Sequence, residues 1–183
     1  QMCIRDRLDK VYWEKGFFPA KPSDQPEWVK EVGFGRQSVA ITLENCYDDW
    51  CMSILAKELN KEEDYQYYLK RALNYQNVFD TATGFMRPKT ADGRWIEPFD
   101  PIWSGGQGRR EFYTENNGWN YTWYVPHDVE GLIGVMGGRE KFTDKLQTMF
   151  ETNVPLYQKY DFLKQYPDMT GWIAMYSHGN EIT

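Results

Sequence analysis

Ser38-Val39-Ala40-Ile41-Thr42-Leu43-Glu44-Asn45-Cys46-Tyr47-Asp48-Asp49-Trp50 opens the run whose reading decides the fold. From Ser38 through Leu59 the apolar positions Val39, Leu43, Tyr47, Trp50, Ile54 and Leu55 recur at helical spacing. A short polar turn at Asn60 follows. A second helix is predicted from about Glu62 to Val78, striped by Tyr65, Tyr68, Leu69, Ala72 and Tyr75. Helices joined by so short a turn form an αα-hairpin. A second hairpin is predicted further on. Asp128 to Met136 carries Val129, Leu132, Ile133 and Met136 on one face, with Asp128 near its positive N-terminal end. Gly137-Gly138 ends that helix, and Arg139 to Glu151 continues with Phe142, Leu146, Met149 and Phe150.

Residues 79–125, between the hairpins, show no long helical pattern. Phe85-Met86-Arg87 and Trp95-Ile96-Glu97 are expected to pair across Asp92-Gly93 as a small β-hairpin. Gly105-Gly106-Gln107-Gly108 superficially suggests a phosphate cradle. It lacks a preceding strand and a Lys-Ser/Thr ending, and the reading is set aside. Long irregular segments inside compact domains are usually functional. Two αα-hairpins presenting such a loop are what an α/α toroid shows over part of its circuit. The expected fold class is therefore mainly α, with the small β-hairpin in the long connecting loop. Residues 8–37 are irregular, broken by Pro19, Pro22 and Pro26. Residues 55–79 have a tetratricopeptide flavour, but nothing recurs at the ~34-residue period of such an array.

Composition narrows the functional classes. The 183 residues suffice for one domain with a sizeable core. Aromatics make up 17% of the chain, including eight Trp and thirteen Tyr, and their co-location with Asn, Gly and acids favours a ligand site over plain core. A net charge of -6 and a pI near 5.0 argue against nucleic acid or an anionic membrane surface, which demand basic patches. The apolar runs are too short for a membrane span. Cys3, Cys46 and Cys51 form no metal or disulfide framework, and Cys46 and Cys51 point apart on one helix. Residues 1–7, Gln1-Met2-Cys3-Ile4-Arg5-Asp6-Arg7, lack the apolar core of a signal peptide and read as a non-native leader. Residues 8–183 read as a fragment truncated at both ends.

Chemistry concentrates in Tyr113-Thr114-Glu115-Asn116-Asn117-Gly118-Trp119-Asn120-Tyr121-Thr122-Trp123, where one carboxylate sits among three amides and four aromatic rings. Buried amides and carboxylates need partners, so an ordinary core is not built this way. A site for a polyhydroxylated ligand is. Apolar sugar faces lie on rings, hydroxyls pair with amides, and a carboxyl group can protonate a leaving oxygen. Glu115 is the candidate acid, because aromatic walls raise a carboxyl pKa by desolvation. From spacing alone it equally well follows Thr114 at a helix start and complements the dipole. Asp48 and Asp49 face different ways on one helix and cannot act as a matched pair. Glu97-Pro98-Phe99-Asp100-Pro101 either holds a ligand or turns the chain. His127, Asp128 and Glu130 are read as a structural cluster. His178-Gly179-Asn180-Glu181 offers hard oxygens of the kind a Ca²⁺ ion accepts.

Taken together, these segments resemble glycoside hydrolase family 92, the calcium-dependent exo-acting α-mannosidases. The similar pieces are Ser38-Val39-Ala40-Ile41-Thr42-Leu43-Glu44 running into Tyr47-Asp48-Asp49-Trp50, then Asp80 through Gly84-Phe85-Met86-Arg87. Next come Glu97-Pro98-Phe99-Asp100-Pro101, Tyr113-Thr114-Glu115 and Trp119-Asn120-Tyr121-Thr122-Trp123. Val125-Pro126-His127-Asp128-Val129-Glu130-Gly131-Leu132 and His178-Gly179-Asn180-Glu181 complete the series, which covers about residues 33–181 in order.

The resemblance implies part of an (α/α)6 toroid, normally preceded by a β-sandwich domain that this chain lacks. It implies an inverting hydrolase of α-mannosides in glycans, with Ca²⁺ as cofactor and Glu115 in the general-acid position. Trp119, Asn120, Trp123 and His178 are implied as substrate-binding residues, and Asn180 and Glu181 as metal ligands. The partners implied are a mannose-containing glycan, the β-sandwich domain and the C-terminal remainder of the toroid. The family's habit implies a periplasmic, cell-surface or secreted parent. The chain departs from the pattern at Asn120, where the family commonly has Gln, and at Ile182-Thr183, where it continues with Pro, Ser and two His. The family's catalytic base, an Asp further on, is absent, so the fragment alone is expected to be inactive. The alternative is a non-catalytic carbohydrate-binding or helical-repeat interaction module.

Overall fold

The computed structural model describes residues 8–22, 25, 28–29, 34–102, 112–114 and 116–151. Residues 1–7 with Cys3, residues 105–108, Glu115, and His178, Asn180 and Glu181 lie outside the described residues. The described part is mainly helical, with small two-stranded antiparallel sheets. Helix α1 (Leu8–Lys15) precedes strands β1 (Trp28–Val29) and β2 (Phe34–Gly35), paired antiparallel with Trp28 opposite Gly35. Helices α2 (Ser38–Glu58) and α3 (Glu62–Ala72) then form the expected hairpin.

Asn60 makes the turn of that hairpin. It adopts a left-handed φ of 55°, which Asn tolerates better than most side chains. Its N–H donates to Lys57 O at 3.0 Å and Lys61 N–H to Ala56 O at 2.9 Å, closing the helix with paired backward bonds. α3 is shorter than its apolar stripe implied. It stops at Ala72 and tightens into a 3-10 turn over Leu73–Asn77, where Tyr75 is fully buried. The apolar face of α2 is also corrected in its second half. Ile54 and Leu55 are 41% and 51% exposed, and the buried positions there are Ser53 and Ala56. Small side chains allow close approach of a neighbouring helix, so side-chain size overrides hydrophobicity along this stretch.

The predicted β-hairpin is real as a turn but wrong in its pairing. Strand β3 (Phe79–Asp80) pairs antiparallel with β4 (Phe85–Met86), Phe79 opposite Met86. The reason lies in Asp80. Its carboxylate accepts from Ala82 N at 3.0 Å and Thr83 Oγ1 at 2.9 Å, tying the intervening turn, and Gly84 supplies a φ of 71°. The Asp92-Gly93 turn survives with a single bridge, Lys89 opposite Trp95. Arg87 holds this region together, donating to Asp80 at 2.7 Å, Glu97 at 2.6 Å and Ile96 O at 3.0 Å. The Glu97–Asp100 loop is thus a structural turn on that side, with Asp100 accepting from Ile102 N at 3.1 Å.

Asp49 is structural too. Buried on α2, it accepts from Tyr12 Oη at 3.0 Å and from Arg71 Nε at 2.9 Å, joining α1, α2 and α3. Burial, and then the Asp49 charge, drives the Tyr12 hydroxyl well above the usual phenol range. Cys46 and Cys51 are free thiols, the first buried and the second exposed. Burial, with Asp49 adding its charge, pushes the Cys46 thiol up to about 12.

Two further helices, α5 (Val129–Val135) and α6 (Arg139–Glu151), make the second hairpin, broken as expected at Gly137 and Gly138 with φ of 90° and 110°. His127 and Asp128 join it to the first. Asp128 Oδ1 caps α5 by accepting from Gly131 N at 3.0 Å, while its Oδ2 accepts from Tyr75 Oη at 2.8 Å. His127 Nε2 lies 2.9 Å from Ala72 O. Around this junction Val39, Leu43, Tyr75, Met86, Tyr113 and Val125 form the buried core.

The junction leaves no room at Gly131. A Cβ there would collide with Asp128 Oδ2 and Tyr75 Oη, whereas one at Gly134 meets nothing within 4 Å. Gly131→Ala is expected to destabilise the chain by about 1–3 kcal/mol in urea unfolding, and Gly134→Ala to stabilise it by about 0.5–1 kcal/mol. Equal effects of the two substitutions would contradict this junction.

Candidate active site

The site is built on residues 112–124, and its first anchor is the beginning of α2. Gln37 precedes that helix with a left-handed φ of 52° and gives it no side-chain cap. Instead, Phe112 O accepts from Val39 N at 3.0 Å and Ala40 N at 3.2 Å, supplying partners for donors that any helix start leaves open. The Gln37 side chain, freed from capping, accepts from Thr114 Oγ1 at 3.0 Å.

Tyr113 is the second anchor. Its ring is almost wholly buried and its hydroxyl donates to Met86 O at 2.7 Å. Burial raises its pKa far above the phenol range, so it serves as a neutral donor. Asn116 and Asn117 are buried behind it. Asn117 Oδ1 accepts from Trp119 N at 2.9 Å and Asn120 N at 3.2 Å, capping the short helix α4 (Gly118–Tyr121). Gly118 N donates to Pro101 O at 2.9 Å, and a Cβ at Gly118 would press on Pro101 and the Tyr113 hydroxyl. Thr122 Oγ1 donates to Gly118 O at 2.6 Å and accepts from Met86 N at 3.2 Å, fastening α4 to β4. Residues on both sides of Glu115 are therefore fixed.

A hollow of about 620 Å³ opens between α2 and α4, lined by Glu44, Thr114, Asn116, Asn120, Tyr121, Trp123 and Tyr124. Trp123 is held in place by Nε1 donating to Met149 Sδ at 3.0 Å and by an edge contact with Phe142. Glu44 stands at the mouth, with solvent on one side. Its pKa is raised, first by burial against the walls and then by Asp48 one turn later; a hydrogen bond with Tyr121 opposes the rise. Asp48 itself is exposed.

Of the residues expected in the site, Asn120 and Trp123 line this hollow, as do both sequence neighbours of Glu115. Trp119 does not. Its ring meets Phe85 edge-on at 4.8 Å and lines a neighbouring hollow of about 410 Å³ with Gly84, Lys141 and Lys145. Adjacent indoles four positions apart are parted here because α4 is too short to keep them on one wall. Glu44, Tyr121 and Tyr124 were not picked out as site residues from the sequence. Glu44 carries no local signal for such a place: its helix had to be docked on residues 112–114 before it could face Asn120.

Residues 3–183 match the glycosyl hydrolase family 92 catalytic domain. The chain belongs to this family. Among solved structures, the family GH92 α-mannosidase BT3965 of Bacteroides thetaiotaomicron is 37% identical with a TM-score of 0.66, over 83% of this chain and 18% of that one. The family GH92 inverting mannosidase BT2199 of the same organism is 30% identical with a TM-score of 0.69, over 96% of this chain and 22% of that one. An Arthroderma benhamiae protein named an uncharacterized secreted glycosidase is 31% identical, over 82% of this chain and 21% of its own length. The chain thus spans about a fifth of the length of these relatives. Among the described residues, no helix is long and apolar enough to cross a membrane.

The second hollow of this family 92 chain carries a pH signature. Lys145 Nζ lies 3.3 Å from the Phe85 ring centroid and 4.6 Å from that of Trp119, and burial lowers its pKa from 10.5 to about 8. Between these values the unfolded chain binds more protons than the folded one, so stability rises with pH. Below the lower value the cost of burying the ammonium is fully present. Lys145→Met is expected to raise the thermal midpoint at pH 7 and to flatten its rise from pH 8 to 10. A wild-type midpoint falling over that window as steeply as the variant's would contradict the desolvated amine.

Proposed function

We propose that this chain is part of an inverting, exo-acting α-mannosidase in which Glu115 protonates the glycosidic oxygen of an α-mannoside. The observation that carries the reading is the hollow: Thr114 and Asn116, the immediate neighbours of Glu115, both line it, facing Trp123, Tyr121 and Asn120. Aromatic faces there receive the apolar faces of a sugar ring, and the amides receive its hydroxyls. The two helical hairpins are proposed as part of the circuit of an (α/α)6 toroid. A β-sandwich domain and the rest of the toroid complete the parent enzyme. Export to the periplasm, cell surface or medium accords with the secreted relative.

Glu115 would act as follows. In its protonated form it donates to the oxygen that leaves with the aglycone, while water attacks the anomeric carbon from the opposite face. A second carboxylate, the general base of an inverting site, takes the water's proton. In an inverting site the two carboxyls stand roughly 6.5–9.5 Å apart, leaving space for that water. Thr114, tied to Gln37, and Asn117, capping α4, set the backbone on either side of the acid.

Calcium fits the donor chemistry of this region. Among the described residues no three His, Cys, Asp or Glu side chains gather as a metal site. The donors lining the hollow, Glu44, Thr114, Asn116 and Asn120, are carboxylate, hydroxyl and amide, the hard-oxygen set a Ca²⁺ ion accepts. In the proposed enzyme Asn180 and Glu181 would hold the ion, with His178, Asn120 and Trp123 about the substrate, and Trp119 left in the neighbouring hollow. When bound, the ion supplies positive charge to the mannose hydroxyls.

In the full-length enzyme that carries this segment, Glu115→Gln should lower turnover of an α-mannobioside by about 100- to 10,000-fold with the fold intact. Turnover near the wild-type level would remove Glu115 from the acid role. Sugar binding that persists in a parent showing no hydrolysis would favour the non-catalytic carbohydrate-binding module.

A further inference from the structure

Glu44 is a carboxylate that faces the hollow rather than a cationic partner among the described residues. It sits on α2 between Leu43 and Asn45 and faces the 620 Å³ hollow. Among the described residues no lysine or arginine pairs with it, in contrast to Asp49 and Asp80, whose carboxylates are ion-paired to Arg71 and Arg87. Asp48 follows one turn later on the same helix, and like charges at that spacing destabilise a helix. Tyr121, itself a wall of the hollow, is hydrogen-bonded with Glu44. A carboxylate kept against its own electrostatics, facing amides and rings, is the kind of group that serves a ligand.

We propose that Glu44 is a substrate-binding residue whose carboxylate accepts hydrogen bonds from hydroxyl groups of the mannoside held in the hollow. The inference rests on the mannosidase reading and deepens it by naming the substrate class at this wall. A carboxylate only accepts, and a sugar hydroxyl donates, so the pair is complementary. Glu44 at the wall, with Asp48 one turn further along the same helix, repels phosphate, sulfate and carboxylate groups. The sugar bound at this wall is therefore a neutral one.

The test uses the full-length enzyme carrying this segment and a sulfur-linked α-mannobioside, which binds without being cleaved. Titration calorimetry is run on the wild type, Glu44→Gln and Glu44→Asp, with the thermal midpoint of each recorded. The expected result is a Kd weakened by at least about tenfold in both variants with unchanged midpoints. A series of monodeoxy analogues should then contain one for which wild type and Glu44→Gln bind alike, marking the hydroxyl that Glu44 accepts. Wild-type affinity retained within twofold by both variants would overturn the role of Glu44 and leave the mannosidase reading standing. So would a weakening equal for every deoxy analogue, or one accompanied by a lower midpoint. A wild-type enzyme that binds no α-mannoside would overturn both.

Discussion

The first turn of α2 and the loop at residues 112–114 complete one another, and the site exists because they do. A helix start exposes N–H groups that must find acceptors, and buried donors left alone cost roughly 1–3 kcal/mol each. This helix begins without a capping side chain. The carbonyl of Phe112, distant in sequence, takes that place by accepting from Val39 and Ala40. The same contact brings Thr114 to Gln37 and aligns Glu44 with the wall that carries Asn120 and Trp123.

The rest of the fold serves to hold that contact rigid. Asp49 draws Tyr12 and Arg71 onto α2 and so binds α1 and α3 to it. Arg87 ties Asp80 to the loop at Ile96 and Glu97, fixing β4. From β4, Met86 then supplies the carbonyl for the Tyr113 hydroxyl and the N–H for Thr122. Buried pairs of this kind add little net stability when intact, but losing one partner leaves a charge stranded at a cost of roughly 3–5 kcal/mol. They therefore act as specifiers of geometry. Phe112 and Tyr113 are anchored on one side of position 115, and Asn117 and Gly118 on the other.

Much of this was legible in the residues alone, for a definite reason. Helical periodicity in α2, α3, α5 and α6 reflects contacts along one face, and Gly137 marks its own left-handed turn, so both hairpins could be read directly. The family resemblance, carried by motifs spread from Ser38 to Glu181, pointed to the catalytic domain that the comparison bears out. The pairing of β4 was misread because Asp80 closes a tighter turn through its side chain than the Asp92-Gly93 signal suggested. Ile54 and Leu55 were misread because hydrophobicity does not tell which face a neighbouring helix will cover. Glu44 went unnoticed as a site residue, since a glutamate in a helix looks the same whether it faces water or a ligand. Trp119 and Trp123 read as a pair, yet the short α4 turns them into separate hollows.

The central claim is that the segment from Tyr113 to Trp123 presents a proton donor to a departing sugar oxygen. The most direct measurement compares two leaving groups in Glu115→Gln of the full-length enzyme: mannose, which departs only with a proton, and a dinitrophenolate, which departs without one. The account predicts that turnover of the dinitrophenyl α-mannoside stays close to wild type while that of the disaccharide collapses. Equal losses on both substrates would contradict it.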